Sequence, residues 1–114
     1  MMEINNQIAG CAIATPKPEN RRLTISNDSQ FKKQMNAVID LHEYLNIIID
    51  MSNVDLIDST GLGTLISIFN HGRNNNCKIK FCNLSAAVEN VIKMTRIDQI
   101  LEIYPTLNAA KESL

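Results

Sequence analysis

Three consecutive isoleucines, Ile47-Ile48-Ile49, constrain this chain more than any other feature. β-branched side chains favour extended backbone over helix. Successive residues of a strand point to opposite faces, so an unbroken apolar run needs cover on both sides of its sheet. Residues 45–51 therefore predict an inner strand of a sheet with helices packed on it.

The flanking sequence supplies such helices. Ser26, Asn27, Asp28 and Ser29 are successive N-cap candidates, and Phe31, Met35, Val38 and Ile39 follow on one face, with His42 and Leu45 further on. A second helix is expected to start near Ser59. It carries Leu62, Leu65, Ile66 and Phe69 at i, i+3, i+4 and i+7, and its end is signalled by His71, Gly72, Arg73 and Asn74-Asn75-Asn76. Residues 78–83 alternate Lys78 and Lys80 with Ile79 and Phe81, which reads as a strand. Ser85 is placed to cap a third helix with Val88, Val91 and Ile92 on one face. Residues 100–104 read as a short strand stopped by Pro105, and Thr106 as the cap of a last helix bearing Leu107, Ala110 and Leu114. Towards the N-terminus, residues 8–14 read as a strand and residues 15–20, with Pro16 and Pro18, as a loop. Arg22-Leu23-Thr24-Ile25 extends or follows that strand. Strands first, then helix–strand three times, then a helix, is the order of an α/β fold with a mainly parallel or mixed sheet.

Length and charge narrow the function. A chain of 114 residues is expected to be one domain, residues 1–114, with a core that needs neither disulfide nor metal. Its net charge is −1, aromatic residues make up 4% and tryptophan is absent, so nothing recommends a nucleic acid or an anionic membrane as partner. No apolar run approaches the ~20 residues of a membrane span, and the N-terminal residues lack the basic and apolar regions of a signal peptide. Three cysteines are an odd number and read as reduced thiols in a cytoplasmic protein. Cys77 and Cys82 have no second pair or histidine pattern near them, so no metal is expected. His71, near the end of its helix, is expected to help cap it.

The strongest local signal runs from the buried strand into the second helix: Asp50-Met51-Ser52-Asn53-Val54-Asp55-Leu56-Ile57-Asp58-Ser59-Thr60-Gly61-Leu62-Gly63. Ligands and partners of open α/β sheets meet the carboxyl ends of the strands, which is where this segment lies. It is not a P-loop, because no lysine follows the glycines, and not a dinucleotide fingerprint, because Ile66 stands where the third glycine belongs. Nucleophilic catalysis lacks a base: His71 is twelve residues beyond Ser59, about 18 Å along a continuous helix, and nothing recommends His42. Two glycines within the first helical turn suggest a close backbone approach, by a neighbouring strand or by a partner. Two readings of the hydroxyls stand side by side. Asp58, Ser59 and Thr60 cap the helix, or Ser59 accepts a phosphate that the helix N-terminus stabilises.

This segment resembles the signature of STAS domains, above all the bacterial anti-sigma factor antagonists, whose pattern is roughly D-x-S-x-V-x-x-[IM]-D-S-[ST]-G-[LI]-G followed by an apolar helix. Arg22-Leu23-Thr24 resembles the family's G-R-L-[DT], Lys80-Phe81-Cys82-Asn83-Leu84-Ser85 its strand into the third helix, and Thr95-Arg96-Ile97-Asp98 with Ile103-Tyr104 its usual ending. The resemblance implies a mixed four- to five-stranded sheet flanked by about four helices. It also implies a non-enzymatic binding module without cofactor that binds an anti-sigma factor with serine kinase activity and frees a sigma factor for transcription. Phosphorylation at the position of Ser59 releases the partner, and a serine phosphatase restores binding. Asp58, Thr60, Gly61, Leu62, Arg22 and Thr24 map onto the contact surface, and nothing demands more than a monomer. Arg21 departs from the family's glycine, and the connection around Pro16-Lys17-Pro18-Glu19-Asn20 is longer than usual. The family also suggests a second role, as a subunit of a lipid-transport complex or stress-sensing assembly that contacts its partner without phosphorylation.

Overall fold

The structure, a computed structural model, describes residues 2–17 and 21–114. Its centre is a five-stranded sheet in the spatial order β1 (Met2–Asn5), β2 (Cys11–Pro16), β4 (Asn46–Asp50), β6 (Lys78–Cys82) and β7 (Glu102–Tyr104). β1 runs antiparallel to β2, and every other neighbouring pair is parallel, so the sheet is mixed. The helices are α1 (Asp28–Asp40), α2 (Ser59–Asn74), α3 (Ala86–Met94) and α4 (Leu107–Glu112). Two further short strands, β3 (Arg22–Leu23) and β5 (Leu56–Ile57), pair with each other in a separate parallel ribbon.

From β2 onward each crossover steps to the next strand in one direction. Right-handed connections of that kind put their helices on one face. The packing agrees: Ala12, Ala14, Ile47, Ile49, Ile79 and Phe81 share a core with Phe31 and Met35 of α1, Leu65 and Ile68 of α2, and Val88 and Ile92 of α3. The other face carries a smaller cluster of Cys11, Ile13, Ile48 and Cys82, covered by Ala110 of α4. Ile47, Ile48 and Ile49 are all fully buried, shared between the two clusters as a two-sided strand requires.

Several expectations need correction. The strand expected over residues 8–14 begins only at Cys11, with a turn before it. β1 was not anticipated, because the alternation of Met2 and Ile4 with Glu3 and Asn5 spans only four residues, too short a run to register as a period. Of the loop expected over residues 15–20, Thr15 and Pro16 belong to β2, and residues 18–20 lie outside the described residues. Arg22-Leu23 joins β5 rather than extending β2. α1 stops at Asp40, leaving His42 at a positive φ of 55° and Leu45 exposed. On α2 it is Ile68 that is fully buried, while Ile66 is half-buried. Lys80, polar in the alternation of β6, is only 3% exposed. His71 does not cap α2; its Nε2 lies 2.7 Å from Asp40 Oδ1 on α1.

Candidate functional site

The polar residues after β4 are committed in turn to holding the chain's path. Asp50 Oδ1 accepts from the Ser52 N–H at 3.0 Å and from Asn83 Nδ2 at 3.1 Å. Asn53 Nδ2 donates to Pro16 O at 3.0 Å, and the carbonyl of Asp55 accepts from Ser85 Oγ at 3.2 Å. Met51 and Val54 fill the main core. The Asp55 carboxylate takes both prongs of the Arg21 guanidinium, at 2.6 Å and 3.2 Å, a fork-to-fork pair at the surface. These bonds steer the chain through β5 and deliver Asp58 to the start of α2.

Asp58 is the N-cap. It is extended (φ −102°, ψ −178°), and its Oδ1 accepts from the Gly61 N–H at 2.7 Å. Its Oδ2 accepts from the Ile25 N–H at 3.0 Å, so one carboxylate ties α2 to the loop between β3 and α1. Its own N–H donates to Leu23 O at 3.2 Å. The Gly61 N–H, then those of Ile25 and Thr60, hold this carboxyl below its ordinary value, against a smaller opposing effect of desolvation.

With Asp58 as the cap, Ser59 is left as the first helical residue, exposed. Thr60 beside it is half-buried. Hydroxyl and helix N-terminus together form a place where an anionic group is favoured. His71 is engaged with Asp40, and His42 is an exposed residue past the end of α1.

The two glycines separate. A Cβ on Gly61 would fall 2.2 Å from the backbone oxygen of Leu23, so this glycine lets β3 pass against α2. Gly63 is exposed and has nothing within 4 Å. Leu62 is turned into the main core at 6% exposure. The structure thus gathers Asp58, Ser59, Thr60, Arg22 and Thr24 at one end of the molecule, with Gly61 and Leu62 directed inward. Arg22 is exposed on β3; its carbonyl accepts from Asn27 Nδ2 at 2.7 Å. Thr24 Oγ1 lies 2.8 Å from Ser26 Oγ.

Three participants were missed from sequence. Ile25 supplies an amide to Asp58 while its side chain is 76% exposed. Asn27 fastens the β3–α1 loop, with Oδ1 accepting from the Thr24 N–H at 3.0 Å, instead of capping α1 through its side chain. Thr64 Oγ1 donates to Asp28 Oδ2 at 3.3 Å, joining α2 to α1. The Ile25 and Thr64 contacts join segments distant in sequence, where no local pattern marks them, whereas the Asn27 contact is local and was hidden by the residue's equal fitness as a helix cap.

Among the described residues, no group of three or more His, Cys, Asp or Glu is arranged to hold a metal ion, and no helix is long and apolar enough to cross a membrane. The cysteines are free and buried, and burial pushes the Cys77 and Cys82 thiols up to about 11 and about 12.

Residues 5–110 match the STAS domain family. A protein of Thermotoga maritima, assigned as a proposed anti-sigma factor antagonist, is 30% identical over 95 residues, spanning 83% of this chain and 84% of its own. The crystal structure of a proposed anti-sigma factor antagonist from that organism superposes with a TM-score of 0.83 at 27% identity, covering 99% of this chain and 92% of that one. The phosphorylated form of the Bacillus cell fate determinant SpoIIAA superposes over the whole of both chains with a TM-score of 0.71. At 11% identity that likeness concerns the fold alone.

Proposed function

Because this chain belongs to the STAS domain family, we propose that it is an anti-sigma factor antagonist, a binding module that is switched by phosphorylation of Ser59. The observation that supports this most is the division of roles at the start of α2: Asp58 makes the capping bonds, and Ser59 is exposed beside it. A phosphate on Ser59 adds about −1.5 to −2 charges next to the Asp58 carboxylate. The helix N-terminus offsets part of that repulsion within the chain, so the fold persists. At a contact surface the same charge has to be desolvated against Asp58 and whatever the partner presents, so binding weakens.

The partner in this reading is an anti-sigma factor with serine kinase activity, and a serine phosphatase resets the switch. The contact surface is Ser59 and Thr60 with Asp58, Arg22 and Thr24 around them. Gly61 and Leu62 enter as residues that hold Ser59 in place. Gly63, open on its outer side, offers the partner a close approach. The proteins of similar sequence and structure named as anti-sigma factor antagonists support the same reading.

The test is a pull-down from native lysate with tagged wild type, Ser59→Ala and Ser59→Asp, followed by titration of the captured partner. Ser59→Ala is expected to retain a kinase-like ATPase constitutively, and Ser59→Asp to bind it at least about tenfold more weakly, about 1.4 kcal/mol. Equal affinity for the three forms overturns the switch. A transporter ATPase held by both variants would instead assign the chain to a membrane transport complex, with Ser59 a contact residue only.

A further inference from the structure

The second face of the sheet carries a charge for which the proposed function has no use. The Lys80 side chain, in the middle of β6, is 4% exposed. Its Nζ donates to Ser113 Oγ at 2.8 Å and to the Tyr104 hydroxyl at 3.4 Å, and it lies 5.2 Å from the centre of the Tyr104 ring. Among the described residues its ion-pair partner is the Glu102 carboxylate, 3.8 Å away and less than half exposed. Its close partners are therefore neutral oxygens and a ring face. An ammonium withdrawn from water regains little of its hydration from such partners.

Half of that arrangement belongs to α4. Ser113 is the residue that closes this helix, and its hydroxyl also donates to Ala110 O at 2.6 Å. α4 has six residues, of which Ala110 alone is fully buried, and Leu107 adds partial cover. The cover itself is thus thin, and it seals an ion. In the main core on the other face, opening exposes mostly apolar surface and no buried charge among the described residues. Here opening also restores water to a charge, which lowers its cost.

We propose that α4 is a hinged cover that lifts from the sheet as a unit, pivoting at Pro105–Thr106, while the sheet and α1–α3 stay folded, and that Lys80 biases it towards opening. Lifting removes Ser113 from the ammonium and uncovers the strip formed by Cys11, Ile13, Ile48 and Cys82. The device is separate from the Ser59 site, so its test is independent of the proposed switch.

The cysteines report on it directly. Cys11 and Cys82 lie under α4, and Cys77 lies in the core of the opposite face. The full chain is exposed to excess N-ethylmaleimide at increasing urea, well below the unfolding midpoint, and each cysteine is followed by peptide mass spectrometry. Cys11 and Cys82 are expected to react at least about tenfold faster than Cys77, at a rate nearly independent of urea, as local opening requires. In Lys80→Met the ratio of Cys82 to Cys77 labelling is expected to fall about tenfold. One common rate for all three cysteines, rising with urea as global unfolding does, overturns the hinged cover, and the wild-type protein alone decides that. An unchanged ratio in a folded Lys80→Met overturns the role of the charge.

Discussion

The two faces of the sheet are built from the same strands and held in different ways. Three helices press on Ile47, Ile49, Ile79 and Phe81 on one face, and the resulting core is continuous from α1 to α3. On the other, one short helix covers Ile48 and Cys82 and shares its interior with Lys80. The candidate switch belongs to the first face, because α2 both packs there and carries Ser59 at its start. In the proposed switch, the residue that takes on a new charge is thereby fixed to the better-packed face of the sheet. The thinly covered face is free to move without disturbing it.

The comparison breaks most sharply under core truncation. Phe81→Ala, on the first face, is expected to cost about 3–5 kcal/mol in urea denaturation, whereas Leu107→Ala, half-buried on the second, should cost about 1 kcal/mol. Equal losses would mean that the faces contribute alike. Next in size is Gly61→Ala, which forces a Cβ against the Leu23 carbonyl and is expected to destabilise by about 1–3 kcal/mol. The same substitution two residues on has the opposite sign: Gly63→Ala, in open space on the same helix, should stabilise by up to about 1 kcal/mol. If the proposed partner approaches there, it should also weaken partner binding.

The smallest effect concerns the cap. The folded state holds the Asp58 carboxyl below its ordinary value of 3.8, so its charged form favours folding. That contribution is complete above about pH 4 and disappears as pH falls through the lower folded value. Asn also caps helices, so Asp58→Asn keeps the geometry and removes the charge. Urea midpoints followed from about pH 5 to about pH 2 should fall less steeply for Asp58→Asn than for wild type, and parallel curves would show that the charge contributes nothing to the cap.

Much of the fold was legible because it rests on local patterns. The start of α2 at Ser59, the Ser85 cap on Val88 N–H, the Thr106 cap on Ala109 N–H and the left-handed Asn76 each follow from a few neighbouring residues. The misses have a common cause as well. β3 and β5 are two residues each and exist only because they pair with one another, so neither has a sequence period to detect. Lys80 reads as polar in isolation, and it becomes buried only because Tyr104 and Ser113 arrive over it from elsewhere in the chain.

At the candidate site, the motif Asp58-Ser59-Thr60-Gly61 was visible, and its location at the carboxyl end of the sheet followed from the strand–helix order. Three oxygens of equal standing in sequence left open which of them caps the helix. The answer required the Ile25 amide, thirty-three residues away, because it is the second hydrogen bond that fixes the Asp58 carboxylate.

By itself, then, the sequence determined a two-sided parallel strand, helices of known face and cap, and a family signature, since each depends on side-chain periodicity or on spacing within one segment. Only the tertiary structure decided that Asp58 closes the helix and leaves Ser59 exposed, that Gly61 yields to a strand and Gly63 to solvent, and that a lysine is sealed beneath the last helix. Those outcomes depend on which distant backbone groups come within hydrogen-bonding or van der Waals reach, and such proximity is a property of the packed chain rather than of any stretch of it.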